Sequence, residues 1–365
     1  MQWWLVYAYV FVMSLVVSAV LTPVARTVSV KLKILDHPGE RKLQDKPMPL
    51  LGGAAMLATF IIVTGVNLLL LAILKGANLA PEWAQKQVLG FLGGSVYMKL
   101  LGLFAGAVVI FLVGLVDDIR HLDPGAKLFG QIVAGLVLVL SGIRLELFIP
   151  NPVAGGVLTI LWIVLMTNSM NLLDNMDGLA AGVAAIAAFI FFLAVRPLGQ
   201  TFTSVMHLMV AGTTVGFLFY NFKPATIFMG DAGSMLIGYM LASLAVMSTF
   251  YTVFSPTRVA VLIPLFALAI PLFDTLSVIY IRVKNKESII RGDKRHFSHR
   301  LVESGMTQKQ AVLFIYFVAA VVGLGATLLW SLRLAGVLAV IAQAVGIFAI
   351  VVLLMANNRK PHVRH

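Results

Sequence analysis

Residues 101–118 read LGLFAGAVVIFLVGLVDD: sixteen uncharged positions followed by two adjacent carboxylates, Asp117 and Asp118. A run this apolar is too long for an ordinary buried strand and too greasy for the face of a soluble helix, so it reads as a membrane span. Charge next to such a span is costly, which makes the acid pair at its end a functional candidate.

The rest of the chain repeats the pattern. Across 365 residues 60% are hydrophobic and 12% charged, where a soluble domain carries about 25% charged residues. Eleven stretches qualify as spans: 3–24, 50–74, 101–116, 127–142, 153–170, 178–195, 205–220, 234–250, 258–281, 312–331 and 334–355. The expectation is therefore an all-α, polytopic integral membrane protein of about 10–11 transmembrane helices, forming a single domain over 1–365. No second domain, solenoid repeat or half-to-half duplication is visible. The chain has no Cys, which excludes disulfide scaffolds, thiolate nucleophiles and Cys-ligated zinc.

The net charge is +12, from 27 Lys and Arg against 15 Asp and Glu. In a membrane chain this excess reflects orientation and anionic lipid, not nucleic acid. No basic residue precedes the first span, while Arg26, Lys31 and Lys33 follow it. That is the charge order of a retained anchor with the N-terminus outside. Eleven spans then place 25–49, 117–127, 171–178, 221–233, 282–311 and the tail 356–365 in the cytoplasm. Of the 15 acids only Glu82 and Glu146 fall outside. The positive-inside rule asks nothing of acids, so the cytoplasmic face is using them.

Three acidic sites stand out there. They are Asp117-Asp118; Asn168-Ser-Met-Asn171-Leu-Leu-Asp174-Asn-Met-Asp177-Gly178; and Phe228-Met-Gly-Asp231-Ala-Gly-Ser234. Five carboxylates at one membrane depth repel unless a cation sits among them, and a hard divalent ion with oxygen ligands, Mg²⁺ or Mn²⁺, resolves this. Each site also has a plainer reading. The Asp pair could cap a helix, Asn171, Asp174 and Asp177 drift around a helix at i, i+3 and i+6, and Gly-Asp-Ala-Gly-Ser could be a tight turn or a phosphate cradle. Segment 282–311 supplies cations, with His296, His299 and Arg300 beside Lys294 and Arg295. It reads either as a lipid-binding run or as a pyrophosphate clamp facing a metal. Asp274, inside PLFDTLSVIY, is expected to be a paired structural acid. A boundary site of metal carboxylates and cations suggests phosphoryl transfer between an aqueous and a lipid substrate. A secondary transporter is the competing class, but its acids belong near the midplane in broken helices.

These segments, in this order, resemble the polyprenyl-phosphate N-acetylhexosamine-1-phosphate transferases, relatives of phospho-MurNAc-pentapeptide translocase. The resemblance runs from about Leu35 to Gly305 and rests on DHPGERK…PMPLLGG, VGLVDD…KL…Q, N-x-x-N-L-x-D-x-M-D-G-L-A, N-F-K-P-A-x-I-F-M-G-D-A-G-S and D-x-x-H-x-x-H-R-L. It implies Mg²⁺-dependent transfer of a sugar-1-phosphate, GlcNAc-1-phosphate first, from a UDP-N-acetylhexosamine to undecaprenyl phosphate, with release of UMP. The place implied is the cytoplasmic face of a bacterial inner membrane, and a homodimer is left open.

Carried over by position, the resemblance makes Asp231 the principal Mg²⁺ ligand, with Asn171 and Asp174 as further candidates. Asp117, Asp118, Asp174, Asp177 and His296 become the catalytic set. Lys127 lies near the phosphates, Phe228 stacks on uracil with Asn221 close by, and His299 and Arg300 hold sugar and pyrophosphate. Three positions depart from the family pattern: Gln44 for a common His, Asn175 for the usual Gly, and Ser298 where adjacent histidines are common. The absence of a triple-histidine run favours the hexosamine branch over the peptidoglycan branch.

Overall fold

The computed structural model describes residues 3–38, 46–76, 94–146, 151–251, 255–287 and 296–357. Gln44, Lys294, Arg295 and the C-terminal tail from 358 lie outside them. The helices are α1 Trp3–Lys31, α2 Gly52–Gly76, α3 Gly94–Arg120, α4 Pro124–Leu140, α5 Pro152–Leu173, α6 Leu179–Val195, α7 Thr201–Asn221 and α8 Gly230–Met247. After these come α9 Ile263–Ala267, α10 Ala269–Lys284, α11 Phe297–Glu303, α12 Gln308–Ala326 and α13 Leu334–Asn357. Two short strands, β1 Leu35–Asp36 and β2 Met48–Pro49, pair antiparallel with Leu35 opposite Pro49.

Among the described residues nine helices are long and apolar enough to cross a membrane, ten if α9 and α10 count as one span. The chain is an all-α polytopic membrane protein. Two of the eleven expected spans come out differently. The 127–142 run forms α4, an apolar helix of 17 residues. The 258–281 run is broken, with the Val259–Ala267 piece and α10 meeting at 74°. The reason for the break is in the sequence: Pro271 sits in the first turn of α10, and a proline cannot donate the hydrogen bond that would carry the preceding helix through.

Boundaries elsewhere follow capping chemistry. Asp123 caps α4 through Gly125 N–H at 2.9 Å, ahead of Pro124. Asn151 does the same for α5 ahead of Pro152. Thr307 and Gln310 form a reciprocal capping box on α12. These residues satisfy amide groups that a helix leaves unpaired at its start.

Helix α8 is the centre of the bundle. From Gly230 to Ala245 every residue is buried except Asp231. Helices α3, α5 and α2 pack around it, α4 lies on α3, and α1, α6 and α7 form a second group. The approach of α3 to α8 requires a residue without a side chain at 114. A Cβ on Gly114 would stand 2.5 Å from Ala232 Cα and 2.7 Å from the Asp231 carbonyl carbon. Small residues let helices come this close, and close packing is what holds helices together in lipid.

Connections alternate between the two ends of the bundle, and one end collects the C-termini of α3, α5 and α7 with the N-termini of α4, α6 and α8. We call it the site end.

Overpacking a helix contact costs about 1–3 kcal/mol. Gly114→Val should therefore lower the melting temperature in detergent, whereas Gly65→Ala, on α2 with nothing within 4 Å, should leave it unchanged or slightly raised. Equal behaviour of the two variants in a thermal-shift assay would contradict the packing described.

Candidate active site

Lys127, in the first turn of α4, reaches three oxygen groups from three other helices. Its Nζ donates to Asp117 Oδ2 at 2.9 Å and to Asn171 Oδ1 at 3.1 Å, and makes a short ion pair with Asp231 Oδ2. Asn171 is oriented by this contact, so its Nδ2 donates to Asp231 Oδ1 and to Ser234 Oγ, both at 2.9 Å. Behind this group, one turn deeper, Gln131 and Asn168 exchange amide hydrogen bonds of 3.1 and 2.6 Å across α4 and α5. The pair leaves neither amide unsatisfied in the apolar interior and fixes the spacing of the helices that carry Lys127 and Asn171.

The two members of the acid pair do different work. Asp117 faces Lys127, and its Oδ1 accepts the Leu122 N–H at 2.7 Å, closing the α3–α4 turn. Asp118 turns to α8 and accepts the backbone N–H groups of Asp231 and Ala232 at 2.8 and 3.1 Å. Helix α8 has no side-chain cap of its own, so Asp118 supplies one from α3, with its charge against the positive end of the helix dipole.

The second cluster is a turn held on every side. Asp177 Oδ2 accepts the Ala225 N–H at 3.1 Å. Gly178, at φ +77°, has its N–H bound to Asn221 Oδ1 at 3.1 Å and its carbonyl to Tyr316 Oη–H at 2.5 Å. Asn221 is buried, and its Nδ2 donates to the Ile227 carbonyl at 3.0 Å. It therefore joins the turn to the Phe228 loop with its whole side chain. Phe228 is stitched by its backbone, its N–H to the Pro49 carbonyl at 2.8 Å and its carbonyl to Gly52 N–H at 3.1 Å.

Asp174 differs from the others, because its carboxyl has no hydrogen-bond partner among the described residues. Burial pushes its pKa well above the ordinary carboxylate value, and the charges of Asp231, Asp118 and Asp177 add to that. A cation among these groups would offset that cost. The surrounding donors are all oxygens, carboxylate or amide, with no thiolate, which suits a hard divalent ion. Three of them already converge on the Lys127 ammonium. No group of three acidic or His ligands is preassembled among the described residues, so the set fits Mg²⁺ in chemistry without forming a closed cage.

The histidine loop arrives from the other end of the chain. His296 precedes α11, with its Nδ1 2.8 Å from Asp274 Oδ2, and Asp274 Oδ1 accepts the Phe297 N–H at 2.5 Å. Asp274 is fully buried on α10, the second piece of the bent pair. It is a paired acid, as expected, and its partner is a candidate site residue. His299 and Arg300 retain exposed surface, and the ring centroids of His296 and His299 lie 6.3 Å apart.

All the candidate residues from Asp117 to Arg300 thus gather at the site end. Tyr316 escapes the sequence reading, because it looks like any aromatic in an apolar span. Ser234 is marked only as the end of its motif, and Asp274 is expected to be paired but without a named partner.

Comparison with known proteins gives this arrangement a family. The profile of glycosyl transferase family 4 matches residues 100–249, which include the helices carrying Lys127, Asn171 and Asp231. A probable undecaprenyl-phosphate N-acetylglucosaminyl 1-phosphate transferase of Bacillus subtilis is 32% identical over 331 residues, covering 88% of this chain and 84% of the relative. The chain belongs to the polyprenyl-phosphate N-acetylhexosamine-1-phosphate transferases of glycosyl transferase family 4. A decaprenyl-phosphate N-acetylglucosaminephosphotransferase of Mycolicibacterium smegmatis is 31% identical over 332 residues, 82% of this chain and 76% of its own. A phospho-N-acetylmuramoyl-pentapeptide-transferase of Moorella thermoacetica is 32% identical over 239 residues, 58% of this chain and 70% of its own. As a member of this family the chain is a phosphotransferase enzyme.

The acid cluster carries a testable cost. A carboxyl whose folded pKa is raised loses stability for the protein as pH climbs above its unfolded value, and costs nothing below it. Asp174→Asn should therefore raise the melting temperature in chelator at pH 8, with the gain vanishing towards pH 4 and shrinking in millimolar Mg²⁺. A variant less stable than wild type in chelator at pH 8 would contradict the placement of Asp174.

Proposed function

We propose that the enzyme transfers N-acetylhexosamine-1-phosphate, GlcNAc-1-phosphate first among the candidates, from a UDP-sugar to undecaprenyl phosphate, as the first membrane step of a cell-envelope polysaccharide. The site end is the cytoplasmic side of a bacterial inner membrane and the cofactor is Mg²⁺, with Mn²⁺ as substitute. The observation that carries this reading is the meeting of Asp117, Lys127, Asn171 and Asp231, one from each of four helices, at one end of the bundle. The Bacillus and Mycolicibacterium relatives, both named as N-acetylglucosamine-phosphate transferases, support the GlcNAc choice.

In this reading an oxygen of the lipid phosphate attacks the β-phosphorus of the UDP-sugar, and UMP leaves in line with its electron pair. A phosphate monoester is largely dianionic at neutral pH, its second pKa being about 6, so the nucleophile needs placement more than deprotonation. Phosphoryl transfer is catalysed chiefly by positioning and by neutralising charge. Asp231 would hold the metal with Asp174 and Asn171, and a bound divalent ion supplies Lewis-acid neutralisation of the diphosphate. Lys127 and Arg300 carry the remaining positive charge, and His299 offers a ring nitrogen to the sugar and diphosphate. Asp117 orients Lys127, and Asp118 holds the start of α8. Both oxygens of Asp118 are spent on backbone amides and both of Asp117 on Leu122 and Lys127. This supports a positioning role for the acid pair over that of nucleophile in an aspartyl-phosphate intermediate.

The test is UMP release by the purified protein in detergent with Mg²⁺, undecaprenyl phosphate and a panel of donors: UDP-GlcNAc, UDP-GalNAc and UDP-MurNAc-pentapeptide. The expected result is UMP with UDP-GlcNAc, only when lipid is present, and loss of at least a hundredfold in Asp231→Asn. Release with the pentapeptide donor alone would move the enzyme to the peptidoglycan branch. No release from any donor by folded protein would overturn the reading.

A further inference from the structure

The turn after α5 and the loop at α11 lie more than a hundred residues apart in sequence, and a side-chain hydrogen bond joins them. Ser298 Oγ and Asn175 Oδ1 are 2.6 Å apart. The second polar atom of Asn175, Nδ2, donates to the Leu172 carbonyl in the last turn of α5 at 2.9 Å. A backbone carbonyl only accepts, so the amide has one workable orientation: its NH₂ faces Leu172 and its oxygen faces Ser298. The Ser298 hydroxyl must then be the donor. At 1% exposure it is closed to substrate.

Asn175 and Ser298 are also two of the three positions at which the sequence departs from the pattern it resembles. A glycine at 175 would offer a serine nothing to bind, so the two departures meet in one bond. On either side of Ser298 the loop divides. Residues 296 and 297 are tied to Asp274 on α10, while His299 and Arg300 keep exposed surface. On the other side of the bond, next to Asn175, stands Asp174, whose carboxyl has no hydrogen-bond partner among the described residues.

We infer that Asn175 and Ser298 form a positioning latch that locks the histidine loop onto the acid turn and so sets the reach of His299 and Arg300 relative to Asp174 and Asp177. Neither latch residue is catalytic. Its effect on turnover rests on the function proposed above, whereas its effect on loop order does not. Displacement of a positioning group by an ångström costs up to about a hundredfold in rate, so the latch should show in kcat.

The experiment compares the full-length wild type with Asn175→Ala, Ser298→Ala, the double variant and Ser298→Thr, which keeps the hydroxyl. Two readouts are taken: hydrogen–deuterium exchange over 296–303, and UMP release with lipid and donor. Each alanine variant should speed exchange in that segment, the double no more than either single, and Ser298→Thr should match wild type. In turnover, each alanine variant should lose about tenfold in kcat, with KM for the lipid phosphate within about twofold, and the double should be no worse. Unchanged exchange in both alanine variants, or effects that multiply in the double, would overturn the latch. Faster exchange with unchanged kcat would overturn its positioning role. If the wild type released no UMP, the proposed function would fail while the exchange data still decided the latch.

Discussion

The contact on which the site depends is the Lys127 ammonium held among Asp117, Asn171 and Asp231. Carboxylates brought together at a membrane boundary repel, and the desolvation of each adds to the cost. One ammonium with three donors meets that cost for α3, α5 and α8 together while belonging to a fourth helix. The neutral layer beneath it, Gln131 with Asn168, lets the same helices stay in register where no charge is tolerable. The α3–α8 contact at Gly114 then places Asp118 where it can cap α8. Take away the ammonium and the acids lose the reason to converge.

From this centre the site divides into an acidic half, carried by α3, α5 and α8, and a cationic half, carried by the loop at α11. Asp274 anchors the cationic half through His296, and Tyr316 clamps the acidic turn through Gly178. Because α12 follows the histidine loop directly, one stretch of chain supplies both the loop and the clamp on its opposite number.

Much of this was legible in the sequence because its causes are local. Apolar runs of about twenty residues have few alternatives to spanning, and acids beside them are expensive enough to advertise themselves, so the spans and Asp117, Asp118, Asp174, Asp177 and Asp231 stood out. What escaped the reading was pairing across long separations. The role of Asp118 as the cap of a helix more than a hundred residues later, the Asp274–His296 pair and the Tyr316–Gly178 bond depend on which helices pack together, which composition does not encode. Asn221 was assigned to the nucleotide by resemblance, and the structure gives both of its polar atoms to backbone groups. The break in the 258–281 run has a local signal in Pro264 and Pro271 that a reading by apolar length alone passes over.

The most direct test of the central contact is single-turnover UMP release by Lys127→Met and Lys127→Arg, each first shown to be folded by its melting profile. Loss of a preorganised charge at the reacting phosphates costs about 10²–10³ in rate. The account predicts a loss of that size for methionine and a smaller one for arginine, which keeps the charge. Turnover by Lys127→Met within about threefold of wild type would contradict it.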